Sequence, residues 1–428
     1  MLGVLRGPFG LLWAGQSVSL VGDSVFLVAF TWQVAVEWNR PALLGLLLSA
    51  RILVELVVLG AGGWIIDRVP RRTTVLAADA ARGVVLLVLA TALHRPASTL
   101  TLALLVSAFG FLTALFRPAF LAYVPEVVRR EQLPAANSLL GLSQQASVVL
   151  GPAIGAGLVG LGSAPTALRL DGLTFMVAAL ATLPLPRRPP ASPAGSPLAQ
   201  AAEGFRAARR VRWIGGSILL FSLVNIATIT AERLALPRVA EERFGALGGY
   251  GALLVAIGVG AGLAALTVGR ARPPHQPGRT AYCGLVLFGT AVAGFGTARG
   301  LVAAVVVGLA FGFGQQLFEL LWTIGLQQNV PDRLLGRISS VDQFGSFIFL
   351  PLSFAFGGLL VQSIDPELVL IAAGVAALAA AAIGLSVPAL HQWRPFPAGI
   401  AEAPPAPARP AATASAAHAE STQGSIQP

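Results

Sequence analysis

The chain has 428 residues, 55% of them hydrophobic and 11% charged, with a formal net charge of +10. Soluble domains carry about 25% charged residues, so a chain this apolar is dissolved in lipid rather than water. All 29 basic residues are Arg, scattered over short loops; that is a positive-inside distribution and argues against a nucleic-acid-binding surface.

One cysteine, Cys283, excludes an intramolecular disulfide framework. A run of about 20 apolar residues suits one helix crossing a bilayer. Such runs fall at 10–36, 42–65, 74–93, 99–121, 136–161 and 166–186, then at 213–235, 248–269, 281–298, 301–327, 338–361 and 367–390. The first is too long and too lightly flanked for a cleaved signal peptide and stays as span 1. The fold class expected is all-α and membrane-integral, with twelve spans. Residues 1–186 form an N-terminal six-helix bundle and 213–390 a C-terminal one. Residues 187–212 join them through an Arg- and Pro-rich linker ending in a basic amphipathic helix on the membrane surface. Residues 391–428, rich in Pro and Ala, are expected to be a disordered tail.

The loop after span 2, Gly63-Trp64-Ile65-Ile66-Asp67-Arg68-Val69-Pro70-Arg71-Arg72, sets the orientation with its three arginines. The loops on its side, with both termini, hold about twenty Arg, whereas the opposite loops hold Arg40, Arg95, Arg169, Arg233, Arg238, Arg243 and Arg299. Arginine collects on the cytoplasmic side, so both termini are expected there. The halves also repeat. Val124-Pro125-Glu126 recurs as Val330-Pro331-Asp332 at an offset of 206.

Ionisable groups inside a span cost several kcal/mol unless paired or watered, so each marks a candidate site. Asp23 lies at the centre of span 1, with Arg51 and Glu55 one turn apart near the centre of span 2. A carboxylate that gains and loses an arginine neighbour as helices rock can release and take up a proton. These three therefore suit proton coupling; a static ion pair that only fixes packing is the alternative. Asp79 and Arg82 sit a turn apart in span 3, and Arg117 lies near the matching end of span 4. Gly151, Pro152 and Gly155 in span 5 allow close helix packing. Polar cavity candidates are Gln144, Gln145, Asn225, Gln315, Gln316 and Trp322, with Glu319 as a carboxylate for cations. Helix–helix hydrogen bonds are the alternative for them. Phe116 and its aromatic neighbours suit an apolar substrate wall or plain packing. Asp171 and Asp342 read as helix-end or interface groups.

The loop pattern G-x-x-x-D-R-x-x-R-R resembles the loop between helices 2 and 3 of the major facilitator superfamily, with Pro70 where that pattern has Gly. Trp13-Ala14-Gly15-Gln16-Ser17 with Gly22-Asp23, Leu133-Pro134-Ala135-Ala136-Asn137-Ser138, Gly151-Pro152-Ala153-Ile154-Gly155 and Gly336-Arg337 extend the likeness over roughly 6–390. Together they resemble its drug–proton antiporter branch, which includes macrolide exporters and the enterobactin exporter. The resemblance implies that Gly63, Asp67, Arg68, Arg71 and Arg72 form a conformational latch, with Asp79, Arg82 and Arg117 as its partners. It also implies a cavity lined by spans 1, 4, 7 and 10.

No His lies in a span, and no metal cluster, catalytic triad or nucleotide loop is present, so an enzyme is not expected. The expectation is a secondary transporter of the bacterial inner membrane, a monomer. It exports a small amphipathic molecule, needs no cofactor or metal, and draws on the proton gradient. Import, lipid transport and a non-transporting binding role stay open as alternatives.

Overall fold

The computed structural model describes residues 4–61, 69–94, 97–187, 205–270 and 274–396, and among them all regular structure is helical. Helix α1 (Pro8–Thr31) starts on a proline, whose fixed φ suits a first turn, and continues through a π turn at Trp32–Glu37. Asn39, at φ 50°, takes the left-handed conformation that reverses the chain into α2 (Pro41–Ala61). Helices α3 (Arg71–His94), α4 (Thr99–Val127), α5 (Leu133–Leu161) and α6 (Ala164–Thr182) complete the first half. Ser98 and Ser163 cap α4 and α6 by accepting from the amides of Thr101 (3.1 Å) and Thr166 (3.3 Å).

The second half begins with α7 (Arg212–Arg243), in which Arg212–Thr230 passes through a π turn at Ala231–Ala235 into Leu236–Arg243. Helices α8 (Ala246–Arg270), α9 (Pro277–Thr297) and α10 (Leu301–Asn329) follow. Helix α11 has two limbs, Asp332–Phe347 and Leu350–Ser363, and α12 is Pro366–Ser386. Eleven of these are long and apolar enough to cross a bilayer; α5, bent by 40° near Leu150, brings the number to twelve when its limbs count as one span. The bend falls beside Pro152, which cannot donate to the helix ladder. The expected spans are thus present with shifted ends. The largest shift is in α7, which the π turn carries past position 235 to a polar end at Glu241-Glu242-Arg243. The described end of the linker, 205–210, is helical with Ala207 and Ala208 buried and Arg206, Arg209 and Arg210 exposed. The rest of the expected surface helix lies outside the described residues.

In the first half, α1 packs on α5 and α6, α3 on α4 and α6, and α2 on α4; in the second, α7 packs on α11 and α12, α9 on α10 and α12, and α8 on α10. The repeat extends to single hydrogen bonds. Ser147 meets Ser24 (3.1 Å) and donates to the Leu20 carbonyl (2.5 Å). At the 206 offset, Ser353 meets Thr230 (2.5 Å) and donates to the Ile226 carbonyl. Gly151 lies against Ser24 as Gly357 lies against Thr230, because only hydrogen fits beneath those side chains.

The principal helix contacts between halves are α2 with the second limb of α11, and α5 with α8. Gly45 faces the Phe354 backbone and Gly358, while Gly251, its counterpart at the same offset, faces Ala156, and Gly160 faces Leu247. The rings of Trp32 and Tyr250 stack across the same boundary at 5.9 Å. All of these residues lie at the end of the molecule far from residues 4–6 and 396. The first limb of α11 packs on α7 rather than α2. Among the described residues, the principal helix contacts between the halves thus gather at the far end.

Candidate functional site

The interior of the N-terminal bundle holds a set of charges that α1, α2, α3 and α6 bring to one region. Arg82 is 1% exposed and pairs with Asp79, one turn earlier on α3. The Gln16 amide of α1 donates to the other Asp79 oxygen at 2.7 Å, tying α1 to α3. The Arg82 guanidinium is held between Phe116 (4.0 Å to the ring centroid) and Phe175 (4.3 Å). A delocalised guanidinium is weakly hydrated, and aromatic faces attract it, so this sandwich offsets part of its burial.

Asp23 is half-buried on α1, and its strongest electrostatic neighbours are Arg82, then Arg51 and Arg117. Arg51 of α2 lies over Phe26 (5.1 Å) and Phe109 (5.0 Å), and interacts electrostatically with Glu55 first and Asp23 second. Its buried Nε has no hydrogen-bond acceptor. Among the described residues neither Asp23 nor Glu55 closes an ion pair with Arg51. The three residues read from sequence as a coupling set therefore do gather, with Arg51 held by aromatic faces and free of a direct carboxylate contact. Gly110 of α4 abuts the Arg51 backbone, which a side chain there would displace.

Asp171 belongs to this region as well, which the sequence reading missed. It is 1% exposed on α6, with the Thr174 hydroxyl donating to one oxygen at 3.3 Å and its buried Oδ2 without a partner. Gly22, next to Asp23, lies against its carboxylate. It is buried where α6 meets α1, the interface reading rather than the helix-end one. The one available signal was the presence of an acid inside an apolar run. Among the described residues, Asp79 and Arg82 contact each other, Gln16 and two aromatic rings; their expected latch partners Asp67 and Arg68 lie outside the described residues.

In the loop itself, Gly63, Asp67 and Arg68 lie outside the described residues. Arg71 donates to Glu126 Oε1 (2.9 Å) and the Ala122 carbonyl (3.1 Å) at the end of α4. Arg72 donates to the carbonyls of Thr182 (3.3 Å) and Leu183 at the end of α6. Arg72 thus binds carbonyls that a helix end leaves open, and Arg71 pairs with the acid at the end of α4. Arg117 is exposed on α4. Gly155, like Gly151, packs against α1, at Val25 and Val28.

In the C-terminal bundle Trp322 departs from expectation, whereas Asn225 takes the helix–helix hydrogen bond that was its other reading. Trp322 does not line a cavity: it is 7% exposed and packs against Trp213 (5.6 Å) and Trp393 (5.8 Å). Its indole N–H donates to Asp342 Oδ2 at 3.0 Å, which gives both polar groups a partner. Asn225 is buried and donates to the Ser346 carbonyl at 3.3 Å, so it joins α7 to α11. Glu319 is exposed on α10, with Gln315 and Gln316 half-buried one turn earlier; Gln144 is exposed on α5, and the side chain of Gln145 lies outside the described set.

Helix count, packing and repeat agree with a match to the family model described as the Major Facilitator Superfamily, which spans residues 12–350. The chain belongs to that superfamily. It is 29% identical over 335 residues to the enterobactin exporter EntS of Shigella boydii serotype 4 (strain Sb227), covering 78% of this chain and 80% of that one. The EntS of Escherichia coli O127:H6 (strain E2348/69 / EPEC) is 28% identical over the same length and the same shares. Among solved structures, a bacterial homologue of the iron transporter ferroportin in an inward-facing state superposes with a TM-score of 0.70, at 15% identity, over 89% of this chain and 98% of that one. The nucleoside transporter NupG gives 0.71 at 11% identity over 89% and 98%. At these identities the structures speak for the fold alone. The protein is a multi-pass membrane protein of a transporter family.

Proposed function

We propose that this transporter exports a small amphipathic molecule, such as a siderophore-like or macrolide-like compound, in exchange for protons. Its two bundles rock about the glycine contacts at the far end. The terminal face is cytoplasmic in this reading, so the contacts between the halves close the outer side and the substrate loads from the cytoplasm. Likeness to EntS over most of both chains supports outward transport of a small molecule.

The observation that carries proton coupling is Asp23, half-buried and within electrostatic range of Arg82 and Arg51 without being bound to either. Movement of α2 against α1 changes the Arg51 contribution, and a carboxylate whose cationic neighbour moves away binds a proton more readily. Arg82 is fixed by Asp79 and two rings, whereas Arg51 has no such ion-pair anchor. Arg51 is therefore the moving partner, and Glu55, one turn along α2, its alternative carboxylate. Asp67 and Arg68 of the loop act as the latch when the terminal face closes. Glu319, exposed on α10, takes the cationic part of a substrate. The chain works as a monomer on the proton gradient and uses no cofactor or metal.

The test is accumulation of a candidate compound in everted vesicles under an imposed pH gradient. Asp23→Asn should abolish gradient-driven accumulation while counterflow exchange of preloaded substrate continues. Normal accumulation by that variant would reduce Asp23 to a packing residue.

A further inference from the structure

At the terminal face, the start of α7 and the segment following α12 enclose a cavity of about 460 Å³, lined among others by Arg210, Arg212, Trp213, Pro388, Gln392 and Arg394. We infer that it binds the phosphate of an anionic phospholipid headgroup. Three exposed arginines, Arg210, Arg212 and Arg394, line it, and among the described residues none of them pairs with a carboxylate. Arg394 reaches only the Gln392 amide oxygen, at 3.3 Å. The α7 N-terminus adds to the positive field. Val211 supplies no side-chain cap to it, and no acid stands in its first turn.

The walls are held in place. Trp213 donates to the Arg394 carbonyl at 3.1 Å and stacks on Trp393 at 5.6 Å. Trp393 donates to the Leu390 carbonyl at 3.0 Å, and the Phe396 amide donates to the Asn329 carbonyl at 2.8 Å. The backbone that carries Arg394 is thus already fixed, so binding does not add the cost of ordering that segment to the cost of ordering the side chains. Guanidinium forks match phosphate oxygens in pairs, so the donor set suits a phosphate rather than a cation or a sugar.

Depth selects a lipid over a free anion. The cavity sits where the apolar run of α7 begins, the level of the headgroups for a helix that crosses the bilayer. Exposed apolar side chains lead away from it, Val387 and Ile383 on one face of α12 and Leu219 and Leu223 on α7. An acyl chain running along them stays in hydrocarbon while its phosphate reaches the arginines.

The experiment uses the full chain, purified and delipidated in a mild detergent, with native mass spectrometry and thermal stability as readouts. The probes are phosphatidylglycerol, phosphatidylcholine of the same acyl length, and inorganic phosphate. Phosphatidylglycerol should remain bound and raise Tm, and phosphatidylcholine should not. Arg210→Gln with Arg394→Gln should weaken phosphatidylglycerol binding about five-fold per arginine. Arg270→Gln with Arg279→Gln, a control pair outside the pocket, should leave it unchanged. Equal weakening by the control pair, or none by the pocket pair, overturns the site. An equal shift with inorganic phosphate overturns the lipid assignment and leaves a free-anion site.

Discussion

Arg82 and Asp79 form an ion pair inside α3 with side-chain exposures of 1% and 0%. Removing one member of a buried pair strands the other charge, at a cost of about 3–5 kcal/mol, whereas removing both together is far less damaging. Arg82→Leu should therefore lower thermal stability strongly, and Asp79→Asn with Arg82→Leu should recover most of the loss. Thermal melting of the purified variants reads this directly. A single Arg82→Leu variant as stable as the parent chain would mean that the buried pair contributes nothing to the stability of the bundle.

Asp171 carries a buried oxygen with no hydrogen-bond partner. The amide in Asp171→Asn keeps the shape and needs no compensating charge, so stability should hold or rise by about 1 kcal/mol. If Asp171 shares protons with Asp23 across the Gly22 contact, the same variant should flatten the pH dependence of transport while exchange persists. An unchanged pH profile would leave Asp171 outside the coupling set.

Gly45 and Gly251 let the two bundles touch at the far end. A leucine at either position drives a side chain into the opposing helix and should disfavour closure there. With Cys283 first replaced by Ser, a cysteine introduced at Trp38 reports the change through a membrane-impermeant thiol reagent. Labelling should rise several-fold in Gly45→Leu and in Gly251→Leu, and transport should fall. Labelling equal to that of the parent would show that the contact does not govern closure.

Glu319 faces open space on α10. Glu319→Gln should weaken transport of cationic compounds about ten-fold while neutral ones change little, since one charge contact of about 1.4 kcal/mol is lost. Competition assays with paired cationic and neutral substrates decide it, and equal losses for both would assign Glu319 to packing.

Much of this fold is legible in the sequence because apolar run length and charge cost are properties of single segments. The twelve spans, the repeat at 206 and the interior placement of Asp23, Arg51 and Glu55 follow from them. Hydropathy does not say how each helix is turned about its axis, and each residue rotates the face by about 100°. For that reason the sequence reads Trp322 as a cavity residue and leaves Asn225 between a cavity and a helix–helix hydrogen bond. One points to Asp342 and two other indoles, the other to the backbone of α11. The sandwich around Arg82 escaped notice because Phe116 and Phe175 come from spans 4 and 6, and nothing local links them to span 3.

The hydroxyl seams at Ser147 and Ser353 are copies of one another, yet the charges are not copied. At the 206 offset Asp23, Arg51, Glu55, Asp79, Arg82 and Asp171 become Ile229, Ile257, Ala261, Leu285, Phe288 and Ala377. One half of a duplicated scaffold thus keeps the ionic groups, and the other is relieved of them. Under the proposed coupling, residues in the second half are accordingly free to diverge under selection for new cargo without disturbing the proposed proton path. On that proposal, engineering of specificity belongs on α7 and α10, with the charged set of the first bundle left untouched.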